Sequence, residues 1–207
     1  MQSIKVCVMV LTACVVSAAI NVVQAADPSP KRDQLDGIPL VWKPTTRPSE
    51  LKPVKVSDLS NVRLEVATFT DARAEPKLIG QNREEPEPRK VVTVNDVAAF
   101  VSDRLRQMAI NTGIAVVDTG GTHVLSGEVK QFFVDETKRY NGEVLLDVTL
   151  KDASGRTLWA GTASGSTTRF GRSYKADNYY EVLSDALLQA GYALLGNSTF
   201  HDALAKP

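Results

Sequence analysis

The sequence predicts an α+β fold: a largely antiparallel sheet of about five strands with two helices packed on one face, in the order β-α-β-β-β-β-α. Two patterns carry this prediction. Between residues 141 and 169, apolar and polar side chains alternate with the period of two that half-buried strands show. Over residues 96–111 and 177–195, apolar residues recur every three or four positions, as in helices with one buried face.

The alternating stretch predicts a long antiparallel hairpin. Four aliphatic side chains between residues 144 and 150 fall on one face, with mostly polar groups between them. The turn that follows spans residues 152–155, where Gly155 is able to adopt a positive φ. The chain then returns from Thr157 onward, and both helices are expected to pack on this hairpin.

The remaining elements are shorter. Residues 71–94 contain three prolines and balanced charges and predict a long loop, which either is solvated or binds a partner. Thr93 or Asn95 is expected to cap the first helix, because both side chains accept hydrogen bonds from helix amides. Strands are predicted over residues 61–70, 114–117 and 123–135, and a short helical turn over 199–206.

The first 25 residues have the pattern of a secretory signal peptide. Lys5 precedes an apolar run over residues 6–20, and small residues up to Ala25 suit cleavage before Ala26. Residues 26–60 hold six prolines and predict an extended leader, either a spacer or a disordered segment. Within this leader, residues 40–42 are expected to dock on the folded domain, which is assigned to residues 61–207.

Cys14 leaves a second interpretation of the N-terminus open. Leu11-Thr12-Ala13-Cys14 resembles a bacterial lipobox, whose cysteine is lipidated. The apolar run continues past Cys14, which favours cleavage after Ala25 and a soluble periplasmic protein. Lipidation would instead place the chain at the inner leaflet of the outer membrane, and an uncleaved membrane anchor is the third alternative.

Charge and motif content argue against several function classes. The chain has 24 basic and 24 acidic residues, so nothing favours a nucleic-acid partner. No nucleophile elbow or phosphate-binding glycine loop occurs, and the only histidines are His123 and His201. We therefore predict a protein that is not an enzyme and holds no cofactor or metal. A hydrolase built on His123, His201 and Asp71 is the remaining catalytic alternative.

Two groups of residues are candidates for contact with a partner. Gly161, Ala163 and Gly165 form a stripe of small residues, which suits a groove, an edge open to an added strand, or close helix packing with Trp159 covering it. The second group combines aromatic and arginine side chains, which are enriched at interfaces but also close cores. Its members are Phe170, Arg172, Tyr174, Tyr179 and Tyr180.

Several segments resemble the YajG family of bacterial envelope lipoproteins. They are Phe69-Thr70-Asp71-Ala72-Arg73, Ile79-Gly80, the stretch from Asp152 to Gly161 and the helix from Glu181 to Leu187. The resemblance implies a Gram-negative envelope protein without catalytic residues. We expect an accessory protein, periplasmic or associated with the outer membrane, that binds an envelope protein, lipid or glycan. The alternative is a carrier of a lipid or glycan fragment that uses the face near Trp159.

Overall fold

The computed structural model describes residues 35–51 and 59–206. The predicted signal peptide lies outside these residues, together with Cys14 and the cleavage site at Ala25 and Ala26. The described chain forms a mixed α+β structure with a nine-stranded sheet and three α-helices, which confirms the predicted class.

The strands and helices are named here in chain order. The strands are β1 (Asp36–Ile38), β2 (Leu64–Val66), β3 (Thr70–Asp71), β4 (Leu78–Asn82), β5 (Arg89–Thr93), β6 (Val116–Val117), β7 (His123–Glu136), β8 (Arg139–Asp152) and β9 (Thr157–Phe170). The helices are α1 (Val97–Asn111), α2 (Ala176–Leu195) and α3 (Ser198–Leu204), and one 3₁₀ turn spans Pro48–Glu50.

The centre of the sheet is an antiparallel meander of β7, β8 and β9, each 14 residues long. The predicted hairpin is β8 and β9, and its turn places Gly155 at φ +86°. Along β8 the side chains alternate as expected: Val144, Leu146, Val148 and Leu150 are buried on one face, and the residues that alternate with them are exposed or half-buried.

The predicted number and order of strands are wrong on the side of β7 that faces away from β8. There the short strands β2, β3 and β4 each run parallel to β7, and β5, β1 and β6 extend the sheet further. The predicted strand over 61–70 is interrupted because Phe69 turns inward, where its amide donates to Ser102 Oγ of α1 at 2.8 Å. The predicted loop over 71–94 contains the β4–β5 hairpin, which Ile79 and Val91 anchor as fully buried side chains.

All three helices pack on one face of the sheet. Phe100 of α1 meets Phe132 of β7 edge to face, with ring centroids 6.2 Å apart, and α2 lies across β8 and β9. The cap of α1 differs from the prediction: Asp96 Oδ1 accepts from the Ala99 amide at 2.9 Å. In the described ranges, no helix is long and apolar enough to cross a membrane.

Residues 35–51, which the sequence assigns to the leader, form β1 beside β5 and then continue onto α2, and we call this segment the strap. Asp185 of α2 accepts the amides of Thr45 and Thr46, each at 2.8 Å. Lys43 forms an ion pair with Glu181 at 3.0 Å. Trp42, which was expected to dock, packs against Phe100 of α1. The strap therefore contacts the face of α2 that carries Glu181 and Asp185.

Candidate functional site

The structure divides the predicted contact residues into an interior group and an exposed group. Tyr174, Tyr179 and Tyr180 are buried, at 9%, 0% and 8% exposure. Phe170 is 81% exposed at the end of β9, and Arg172 is exposed beside it. The three tyrosines thus belong to the core, whereas Phe170 and Arg172 remain accessible to a partner.

The interior group is organised by a buried carboxylate, Glu136, at the end of β7. Tyr179 Oη donates to Glu136 Oε2 at 2.6 Å, and the Tyr174 amide donates to Oε1 at 3.0 Å. The Tyr140 ring stands edge-on to Tyr179, with centroids 5.4 Å apart. Burial, reinforced by the Glu136 carboxylate, raises the pKa of Tyr179 far above its usual range, so its hydroxyl remains a donor.

Tyr174 joins this cluster to the β4–β5 hairpin and to the strap. Its hydroxyl donates to the Lys90 carbonyl at 2.9 Å and accepts from the Leu35 amide at 3.3 Å. The guanidinium of Arg89 lies over its ring, 4.1 Å from the centroid. These contacts hold Tyr174 at φ +42°, a left-handed conformation that non-glycine residues rarely adopt. The tyrosines and Glu136 therefore form a structural cluster. It joins β7, α2, the β4–β5 hairpin and the strap.

Sequence reasoning missed Glu136 as the organising residue. The signal was present, because Glu136 continues the inward alternation of Phe132 and Val134 along β7. A carboxylate at a buried position needs donors, and buried charges are paired or hydrogen-bonded in native proteins. The tyrosines near α2 were the available donors.

Trp159 fills the stripe of small residues that begins at Gly161. A Cβ at Gly161 would lie 2.6 Å from Cη2 of the Trp159 ring, and the ring meets Phe200 of α3 edge to face at 5.2 Å. Further along the stripe, a Cβ at Gly165 would lie 2.6 Å from the Ala190 amide nitrogen of α2. On this face the stripe gives room for helix packing, and the face near Trp159 is filled by the protein's own side chains.

The outer edge of β9 is different, because no strand covers it among residues 35–51 and 59–206. β9 pairs only with β8. Its side chains from residue 157 to residue 168 are uncharged, and Arg169 forms an ion pair with Glu181 of α2. Phe170 follows at the end of the strand. The edge thus presents unpaired backbone groups beside small, neutral side chains and one exposed aromatic ring.

Two hollows lie beside α2, and the first of them borders this edge. One, of about 410 Å³, lies at the middle of β9 and is lined by residues 164–166, by Gln189 of α2 and by side chains of β7 and β8. The other, of about 550 Å³, lies between the end of α2 and the start of α3 and includes Leu51 of the strap, Tyr192 and Thr199. Both are open to solvent, so neither encloses a ligand.

His123 and His201, considered as catalytic residues, lie in β7 and α3, and the buried Nε2 of His201 has no hydrogen-bond partner in the described residues. His123 is buried, with Nε2 3.0 Å from the Lys206 carbonyl oxygen and Nδ1 3.0 Å from Thr122 Oγ1. Asp71 lies in β3, which pairs with the middle of β7, and forms an ion pair with Arg73 at 2.7 Å. Burial opposes ionisation of Asp71, but the hydrogen bonds and charge of Arg73 outweigh it and lower the pKa. None of these contacts joins the three residues into one site.

No family model and no curated protein matches this chain. Among solved structures, it is similar to a Xanthomonas campestris protein of the DUF330 family, with a TM-score of 0.52 and 18% identity over 68% of this chain and 86% of that one. At this identity the likeness shows a shared fold and nothing more.

Two further structures are similar at lower scores. One is a PelC dodecamer from Paraburkholderia phytofirmans, with a TM-score of 0.36 and 16% identity over 61% of this chain and 86% of that one. The other is a candidate lipoprotein from Caulobacter crescentus, with a TM-score of 0.42 and 13% identity over 62% and 92%. The resemblance to the YajG family stays a prediction.

Proposed function

We propose that this protein is a non-catalytic accessory protein of the bacterial cell envelope that binds another polypeptide by adding a strand to the edge of β9. The long edge of β9, with which no second strand pairs in the described residues, is the observation that carries this proposal. In such binding, backbone hydrogen bonds supply affinity, and side-chain pockets along the edge supply specificity.

The β9 edge lacks most of the devices that keep sheet edges from pairing. Natural edge strands are short, bulged, covered, or carry lysine, proline or inward-facing charges. β9 is 14 residues long, about 46 Å at 3.3 Å per residue, and has neither lysine nor proline. Its one irregularity in pairing lies near Trp159, next to the turn. An edge of this kind suits a strand-binding site.

The buried carboxylates take part in structural hydrogen bonds, which also supports a binding protein over an enzyme. Glu136 is engaged by Tyr179 and Tyr174, and Asp185 holds the strap. These buried carboxylates therefore stabilise the fold. The assignment to the envelope follows from the signal-peptide pattern and from the resemblance of the sequence to the YajG family.

A photo-crosslinking residue at Ser164 in the full chain, expressed in a Gram-negative cell, tests this proposal. We expect covalent adducts with a polypeptide from Ser164, and their loss when Thr162→Lys adds a charge to the edge. The matched control places the same crosslinker at Ser154, which is exposed in the β8–β9 turn. Equal adducts from Ser154 and Ser164, or adducts that survive Thr162→Lys, would contradict the proposal.

A carrier of a lipid or glycan fragment is the second candidate, and one observation favours it. The hollow of about 550 Å³ includes Thr199, whose hydroxyl accepts the Trp159 indole N–H at 3.0 Å. Trp159 fluorescence should therefore respond to a ligand there. Titration of the full chain with envelope lipids and peptidoglycan fragments, with Trp159→Phe as control, tests this candidate; an unchanged spectrum would rule out binding in this hollow.

A further inference from the structure

We infer that the strand added to β9 is β9 of a second copy of this chain, which forms an antiparallel two-fold dimer. The inference rests on the proposed use of the β9 edge and names its occupant. Because antiparallel strands are related by a two-fold axis perpendicular to the sheet, the sheets of both copies become continuous and all helices remain on one face.

One register makes the edge complementary to itself, with Ser164 of both copies on the two-fold axis. On the solvent face, the small polar side chains then lie opposite one another, and the exposed Phe170 ring lies opposite half-buried Leu158. The solvent-face pairs are Ser164 with Ser164, Thr162 with Ser166, Ala160 with Thr168 and Leu158 with Phe170. Pairs of Ser and Thr and pairs of apolar residues both stabilise neighbouring strands.

The helix face is complementary in the same register. Arg169 of one copy lies opposite Trp159 of the other, and its side chain is 43% exposed while paired with Glu181 of its own copy. A cation–π contact with Trp159 would add to that ion pair. Ala163 lies opposite Gly165, so the strands themselves place only small side chains near the axis. Arg169 is the only charged residue of β9, and the two copies of it lie at opposite ends of the paired strands. No like charges therefore face each other.

The hollow lined by β7, β8 and β9 also borders the middle of the edge. The cavity of about 410 Å³ along residues 164–166 lies at the proposed axis, beside Gln189 of α2. A different envelope protein at the same edge would not require the residues before Ser164 to be complementary to the residues after it.

Cysteine crosslinking tests both the dimer and its register. Directly opposite residues in antiparallel strands have Cα atoms roughly 4.5–5.5 Å apart, within the range that a disulfide spans. Under mild oxidation of the purified full chain, S164C should form covalent dimers. A mixture of T162C and S166C should crosslink, whereas either variant alone should not. The parent chain, with Cys7 and Cys14, gives the baseline, and Ser154→Cys in the turn is the matched control.

We expect the S164C dimer to form at least roughly tenfold faster than the Ser154→Cys dimer, because pairing raises the effective thiol concentration. We also expect S164K, which opposes two charges on the axis, to sediment as a monomer with an unchanged circular dichroism spectrum. Equal rates for S164C and Ser154→Cys, or a parent chain that sediments as a monomer at every concentration, would overturn the dimer. If the dimer fails while Ser164 still crosslinks to another protein, the proposed strand-binding function stands; if both fail, both are wrong.

Discussion

The sheet ends in three- and two-residue strands, β1 and β6, on one side of β7, whereas β9 runs for 14 residues on the other. On the first side, β7 is met by three separate parallel strands rather than one, and the strap leads directly from β1 onto α2. On the second side, β9 is continuous and uncovered by any strand in the described part of the chain.

The difference shows how one sheet can resist strand pairing at one edge and permit it at the other. Fragmented strands cannot template a long partner strand, because each offers only a few backbone groups in line. β9 offers a full row of them. We therefore expect changes on the closed side to act on stability, and changes along the β9 edge to act mainly on association.

The largest effect is expected where β9 meets α2. In Gly165→Val the new side chain would overlap the Ala186 carbonyl and crowd the Ala190 amide nitrogen, so the helix must move. We expect a loss of about 3 kcal/mol in the free energy of unfolding, as for overpacked cores. Ser166→Val, on the exposed face of the same strand, should change it little. Urea unfolding followed by circular dichroism measures both, and equal losses would contradict the packing described here.

The Glu136 cluster is the next test. Tyr179→Phe removes the donor 2.6 Å from Glu136 Oε2 and leaves part of a buried carboxylate without a partner. The expected loss is about 2 kcal/mol, because unsatisfied buried polar groups retain their desolvation cost. Tyr180→Phe is the matched control, since the hydroxyl of Tyr180 lies outside the contacts of Glu136. Equal unfolding free energies for the two variants would show that the Glu136 cluster does not stabilise the fold.

Release of the strap should cost less. Asp185→Ala removes the acceptor of the Thr45 and Thr46 amides, and we expect a loss of about 1.5 kcal/mol. Hydrogen exchange at these two amides should accelerate more than exchange in β8. The control is Asp202→Ala, which removes an exposed carboxylate of α3. If the amides of residues 45 and 46 exchange at the parent rate, Asp185 does not anchor the strap.

The smallest effect concerns the turn that joins β8 to β9. The Ser154 hydroxyl, with further hydrogen bonds from the Arg156 and Ser154 amides, lowers the pKa of Asp152 from 3.8 to about 2. A depressed pKa means that ionised Asp152 stabilises the fold above its unfolded-state pKa, and that this contribution is lost as the pH falls through about 2.

An NMR titration of the Asp152 carboxyl carbon checks this value. Ser154→Ala should raise the pKa toward 3.8, whereas Ala153→Ser, which leaves Ser154 in place, should not. A titration midpoint near 3.8 in the parent chain would show that the turn does not hold the ionised carboxylate.

The sequence was most informative where structure depends on neighbours in the chain. The alternation of β8, Gly155 in the turn and the apolar positions of α2 all follow from local periodicity, and each was found as predicted. The class, the helices on one face and the docking of Trp42 were also predicted.

The failures share a physical cause, because they depend on distant parts of the chain. The β4–β5 hairpin has charged residues and prolines around it, and only the burial of Ile79 and Val91 against the rest of the fold makes it a sheet. The small-residue stripe left a groove, an open edge and helix packing as alternatives, and in the structure it gives room for the packing of α2. Sequence alone could not show that the described chain supplies no second neighbour for β9, since that depends on topology.

Hydrogen exchange across β9, followed by mass spectrometry, tests the central claim most directly. In the dilute protein, only the amides that face β8 should be protected, because the alternate amides point from the open edge into solvent. At high protein concentration, the alternate amides should become protected as well, while exchange in β7 stays constant. If exchange in β9 is the same at every concentration and in the presence of envelope proteins, no strand is added there and the proposed function is wrong.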